Sequence, residues 1–87
     1  MIEQEVEVVN RAGIHTRPAA MIVKLAAKFK SDIYLIRDGF SINAKSIIGV
    51  MTLAAEQGAK ILLRIDGQDE QSATEEITQL FASGFGE

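Results

Sequence analysis

Ile33-Tyr34-Leu35-Ile36-Arg37-Asp38-Gly39-Phe40-Ser41-Ile42-Asn43 is the stretch on which the reading of the fold turns. Two alternating, apolar-rich runs flank Asp38-Gly39. A two-residue Asp-Gly link favours positive φ, the conformation of a type I′ hairpin turn. The runs are therefore predicted as paired strands over residues 33–37 and 40–43. A hairpin at mid-chain makes a sheet the organising element, and the segments on either side must extend and cover it.

Toward the N-terminus, Ile2 to Val9 sets Ile2, Val6 and Val8 against Glu3, Glu5 and Glu7, which reads as a half-buried strand with a solvated acidic face. Asn10 to Gly13 interrupts it. Residues 18–30 then place Met21, Ile22, Leu25 and Phe29 on one helical face. Pro18 has no N–H and fits only a first turn, so this helix starts close to His15–Arg17. Ser31-Asp32 is the expected end.

Toward the C-terminus, Ser46 reads as an N-cap. Ile47, Val50, Met51 and Leu53 form a short helix that Gly58 closes. Residues 59–65 are a strongly apolar fourth strand ended by Asp66-Gly67. A last helix begins at Asp69 or Ser72, turns Ala73, Ile77, Leu80 and Phe81 inward, and stops at Gly84. The order β-α-β-β-α-β-α predicts an α+β fold. It is an open-faced two-layer β-sandwich, a four-stranded, mainly antiparallel sheet with helices on one face. Residues 1–87 are expected to form a single domain.

Composition narrows the function classes. The chain has 87 residues, 47% apolar and 24% charged, no Cys and one His. That excludes a thiolate nucleophile, a Cys-x-x-Cys redox pair and a multi-histidine metal centre, so no metal and no cofactor are expected. The acidic start Met1-Ile2-Glu3-Gln4-Glu5 is unlike a signal peptide, and no run approaches membrane-spanning length. A cytoplasmic protein without membrane insertion is expected. A net charge of -3 argues against a nucleic-acid binder.

The charge is uneven. Residues 10–45 hold seven basic and two acidic side chains, a balance of +5, and the remainder two basic and ten acidic, a balance of -8. A basic segment in an acidic protein fits an anion or an acidic partner, and equally an uneven solvated surface.

Gly13-Ile14-His15-Thr16-Arg17-Pro18-Ala19-Ala20 places the only imidazole just before a helix. A helix N-terminus offers unpaired N–H groups and the positive end of the macrodipole, which together attract anions. Arg17 adds planar, charge-assisted donors for phosphate. A nucleophile, an anion cradle and a guanidinium suit phosphoryl transfer, where catalysis is mostly positioning and charge neutralisation. Spacing alone leaves a plainer reading beside this one, with His15 a cap and Arg17 a solvated charge. Ser46 has its own plain reading as an N-cap.

These residues carry a resemblance. Gly13 to Ala20 closely resembles the active-site signature of the HPr family, the histidine-containing phosphocarriers of the bacterial phosphoenolpyruvate:sugar phosphotransferase system. Asn43-Ala44-Lys45-Ser46-Ile47-Ile48-Gly49-Val50-Met51 resembles the family's regulatory-serine region. Motif separation, element order and length agree, so the resemblance spans essentially the whole chain.

The resemblance implies a relay rather than an enzyme that turns over alone. Enzyme I, phosphorylated by phosphoenolpyruvate, passes the phosphoryl group to Nδ1 of His15, and the carrier hands it to a IIA domain for sugar uptake. Thr16 and Arg17 supply the cradling backbone, and Arg17 also stabilises phosphate through its side chain. Ser46 is the position that an HPr kinase/phosphorylase modifies in many bacteria. Thr16, Ala20, Lys24, Ile47, Ile48 and Met51 are expected to form a docking surface, with Lys28 and Lys45 adding positive charge. The apolar members have a plainer reading as the buried side of a short helix, a role for which Val50 and Leu53 are better placed. A monomer is the simplest form for such a shuttle.

Other classes fit less well. Ser46 lacks a Gly-x-Ser-x-Gly elbow, and no Walker A loop is present. One Tyr and no Trp leave little for base stacking. Purely regulatory relatives lack the active histidine. The nitrogen-related phosphotransferase branch shares the same chemistry and is the alternative.

Overall fold

The computed structural model describes residues 1–87. Strand β1 spans Ile2–Glu7, helix α1 Thr16–Ala26, β2 Asp32–Arg37, β3 Phe40–Asn43, α2 Ile47–Thr52, β4 Lys60–Asp66 and α3 Glu70–Ala82; a 3-10 turn follows at Gly84–Gly86. The sheet order is β1-β4-β2-β3, and all three neighbouring pairs are antiparallel.

The hairpin forms where Asp38-Gly39 requires it, with φ of 51° and 82° at the two turn residues. Arg37 lies opposite Phe40, and Tyr34 opposite Asn43. β4 takes the inner position because it is the most apolar strand, with Ile61, Leu63 and Ile65 fully buried. Their neighbours Val6, Ile33 and Leu35 point to the same side. The helices cover that face with Ala19, Ile22 and Ala26 of α1, Val50 of α2, and Ala73, Ile77 and Phe81 of α3. Glu3, Glu5 and Glu7 stay exposed on the other face.

Two helix ends differ from the sequence expectation. α1 stops at Ala26 instead of reaching Lys30. The chain tightens there, with Lys28 N–H bonding Leu25 C=O and Phe29 N–H bonding Ala26 C=O. The next amides leave the helix altogether. Asp69 accepts from Lys30 N–H at 2.9 Å, from Ser31 N–H at 3.0 Å and from the Ser31 hydroxyl. A tertiary acceptor thus outcompetes the helical carbonyls. Asp69 precedes α3 as expected, but its side chain makes no cap bond there. At the other end, α3 closes at Ala82 with Gly84 at φ 65° just beyond it, as expected, and the chain continues into the 3-10 turn. The second difference is α2, which ends at Thr52 with Leu53 as its C-cap, well before Gly58, because the chain turns to positive φ at Ala54.

The Asp69 contact is measurable. The Ser31 hydroxyl and then the Lys30 amide lower its carboxyl pKa from 3.8 to about 2. A depressed folded-state pKa contributes stability that is complete above the unfolded value and is lost as pH falls through the folded one. Denaturation midpoints measured from pH 5 to pH 2 should therefore fall more steeply for the wild type than for Asp69→Asn. Parallel curves would remove Asp69 as the acid-sensitive tie between α1 and α3.

Candidate functional site around His15

The loop from β1 to α1 is built on Asn10 and Gly13. Asn10 is 5% exposed and donates its side-chain amide to Gly13 C=O at 2.8 Å. Gly13 has φ +72°, and a Cβ there would lie 2.4 Å from Ala55 O. That close approach lets Ile14 N–H bond Ala55 C=O at 2.8 Å. The segment after α2 thereby holds the histidine loop in place.

His15 occupies the N-cap position of α1 with extended backbone, and its side chain makes no cap bond. The imidazole is therefore not employed as a cap. Its carbonyl accepts from Ala19 N–H. The amides of Thr16 and Arg17 have no protein acceptor, and Pro18 has no N–H, so the first turn presents two free donors beside the ring. The His15 side chain is 44% exposed.

The ring is also engaged by a residue that sequence reasoning missed. Glu87 Oε2 lies 2.8 Å from His15 Nε2 and 3.2 Å from Arg17 Nη1. Its other oxygen, Oε1, accepts from Asn10 Nδ2 at 3.0 Å. Hydrogen bonds from Asn10, then His15 and Arg17, hold the Glu87 carboxyl below the usual glutamate range. The 3-10 turn aims it. Phe85 is fully buried at φ 59°, with its ring edge-on to Phe81 at 5.1 Å. An aromatic between two glycines just past a helix was the available signal, and reading Gly84 only as a stop obscured it.

Ser46 is exposed at the N-cap of α2 and accepts from Gly49 N–H at 3.2 Å. It makes no hydrogen bond to the His15 cluster. Ile47, Ile48 and Met51 project outward, Ile48 being 75% exposed, whereas Val50 and Leu53 are buried. The apolar patch is thus on the surface. Thr16, Ala20 and Lys24 are exposed on α1. Lys45 is committed differently from the expectation of a free docking charge: its ammonium donates to Phe29 C=O at 2.8 Å, beyond the C-terminal end of α1.

The concavities of the molecule lie elsewhere. The largest is lined by Arg37, Asp38, Phe40, Ile42, Thr52 and Leu53; none is lined by His15, Arg17 or Ser46. No helix is long and apolar enough to cross a membrane.

The His15 imidazole is thus half exposed beside free helix amides and a guanidinium, on the open surface and outside every concavity. Comparison with known proteins gives the particular group. The family model described as PTS HPr component phosphorylation site matches residues 2–83. Phosphocarrier protein HPr of Treponema pallidum (strain Nichols) is 48% identical over 87 residues, 100% of this chain and 99% of that protein. The crystal structure of an HPr from Thermoanaerobacter tengcongensis superposes with a TM-score of 0.96 at 42% identity, covering 100% of this chain and 98% of that one. An HPr dimer from the same organism gives a TM-score of 0.80 at 42% identity, with full coverage of both chains. The chain belongs to the HPr family of phosphocarrier proteins of the phosphotransferase system.

Proposed function

We propose that His15 is the phosphoryl acceptor, at Nδ1, and that the chain shuttles the group from phospho-enzyme I to IIA domains in the cytoplasm. The observation that carries this reading is the exposed imidazole with Nε2 engaged by Glu87 and Nδ1 without a protein partner, next to the free amides of Thr16 and Arg17. The positive field of the helix end favours the incoming phosphoryl charge. The open surface around the ring suits a macromolecular donor better than a small substrate, which a cleft ordinarily encloses. Ring access needs no second chain, which supports a working monomer, and sedimentation at micromolar concentration tests it.

The central experiment incubates the protein with phosphoenolpyruvate and purified enzyme I from the same organism. Intact mass should rise by a single phosphate, and the adduct should be lost in acid. No adduct with an active enzyme I overturns the sugar-branch reading and favours the nitrogen-related enzyme I as donor.

The Ser46 region serves partner choice in this proposal. Ile47, Ile48 and Met51 are the docking patch, with Thr16, Ala20 and Lys24 alongside, and Ser46 is the position for an HPr kinase/phosphorylase to modify. Negative charge at Ser46 would disfavour an acidic partner surface. Ser46→Asp should slow phosphoryl acceptance from enzyme I by raising KM, most strongly at low salt. Wild-type kinetics in the variant would dismiss the charge account.

A further inference from the structure

The β2–β3 hairpin and α2 enclose a groove that phosphoryl transfer at His15 does not use. Arg37, Asp38, Phe40, Ile42, Thr52 and Leu53 line it, and its volume is about 360 Å³. Leu53 is buried and Ile42 half-buried, whereas the Phe40 ring stands 74% exposed at the opening. The Thr52 hydroxyl already donates to Gly49 C=O at 2.6 Å. The interior is thus apolar, and an aromatic left this far in water beside an apolar concavity marks a place where another molecule binds.

Arg37 braces the groove. Its guanidinium donates to Leu53 C=O at 3.1 Å through Nη1 and to Glu56 Oε1 through Nη2, and Nε lies 3.6 Å from Asp38 Oδ2. These contacts tie the hairpin to the segment leaving α2, so the walls stand before a ligand arrives. The Arg37 side chain is 21% exposed, but Asp38 and Glu56 are 83% and 69% exposed. One partly covered cation between two open carboxylates leaves the surroundings negative. Residues 16–28, the helix beside His15 and the turn after it, have the opposite sign, with Arg17, Lys24 and Lys28 exposed and no acidic residue.

β3 is also an open edge, the last strand of the sheet. Ala44 N–H bonds Ile33 C=O, so Ile42 and Phe40 turn their main-chain groups to β2 as well, and those of Ser41 turn outward. Phe40-Ser41-Ile42-Asn43 carries no charge, whereas the opposite edge, β1, carries Glu3, Glu5 and Glu7. Charge is a usual guard against strand addition, and β3 lacks it. An extended chain laid along β3 would pair with Ser41 and project alternate side chains over the groove.

We propose that this groove is a second protein-docking site, separate from the His15 surface, and that it takes an extended partner segment in which an apolar side chain is flanked by lysine or arginine. The apolar side chain packs between Phe40, Ile42 and Leu53, and the basic residue meets Asp38 and Glu56. Phe40 is the anchor, because covering its ring removes the most apolar surface from water. Such a segment is attracted here and repelled by α1, so the two surfaces select partners by sign. The inference goes beyond the reading of His15 as acceptor, and a partner held at the hairpin leaves the imidazole open.

The test titrates 15N-labelled protein with a short blocked peptide carrying phenylalanine between two lysines. Saturable amide shifts should appear at Phe40, Ile42, Thr52 and Leu53, with His15 and Thr16 unmoved. Phe40→Ser should abolish them, and its exposure lets the fold survive the change. Asp38→Asn, which keeps a residue that tolerates the turn's positive φ, should weaken binding severalfold. Replacing the peptide lysines by glutamates should weaken it on the order of tenfold at low salt. Phosphoryl acceptance from phospho-enzyme I should be equal in Phe40→Ser and wild type. Absence of saturable shifts at the groove, or equal binding of the glutamate peptide, would overturn the proposal. Shifts centred on Ile47, Ile48 and Met51, or slower acceptance in Phe40→Ser, would merge the groove with the His15 docking surface and overturn it equally. Self-association in sedimentation that Phe40→Ser abolishes would make a second copy of the chain the occupant, against the partner named here.

Discussion

His15→Ala should take up no phosphate from phospho-enzyme I while keeping its melting temperature and amide spectrum. The loss is expected to be complete because the chain has no second imidazole. The retained fold follows from the side chain's position. The imidazole is half exposed and makes no cap bond, and the backbone contacts of residue 15, to Gly13 C=O and from Ala19 N–H, do not involve the ring. Only the Glu87 contact disappears, and an exposed ion pair of this kind contributes little to stability. Intact-mass measurement after incubation with phosphoenolpyruvate and enzyme I checks the first half, and thermal unfolding checks the second. A phosphate still acquired at normal rate would move the acceptor away from His15. A variant that unfolds would mean that the ring is structural.

Gly13→Ala should be the most damaging small substitution near the site, for two separate reasons. The residue sits at φ +72°, where an L side chain is strained, and its Cβ would meet Ala55 O at 2.4 Å. That obstacle is a backbone carbonyl and not the tip of a flexible side chain, so the loop or the 53–56 segment must move. Strain and overpacking together should cost about 3 kcal/mol, a fall in Tm on the order of 15 °C for a domain of this size. Movement also breaks the Ile14 N–H bond to Ala55 C=O, so surviving folded protein should accept phosphate more slowly than wild type. Thermal unfolding and single-turnover phosphorylation read the two effects independently. A melting temperature within a degree or two of wild type would show that the 53–56 segment yields easily and does not hold the histidine loop.

The same contact links the two sequence motifs. α2 follows Ser46, and the segment leaving α2 carries the carbonyl against which the His15 loop rests. The link consists of main-chain groups far apart in sequence, so side-chain patterns along either segment do not display it.

Local chemistry made much of this protein legible from its residues. Asp38-Gly39 set the hairpin because that dipeptide tolerates positive φ. Alternation assigned β1, Pro18 located the start of α1 by its missing N–H, and Ser46 announced α2 through its hydroxyl. Those are effects within a few residues, and a sequence displays them directly. The sheet order β1-β4-β2-β3 and three further features were decided only by the tertiary structure. α1 does not run on to Lys30 because Asp69, thirty-eight residues beyond Ser31, captures the amides of Lys30 and Ser31. Lys45 reaches Phe29 C=O instead of solvent because α2 packs on α1. Glu87 joins His15 because burial of Phe85 folds the segment after α3 back onto the histidine loop. In each case the deciding partner is remote in sequence, and only the packing of the core brings it within hydrogen-bonding reach.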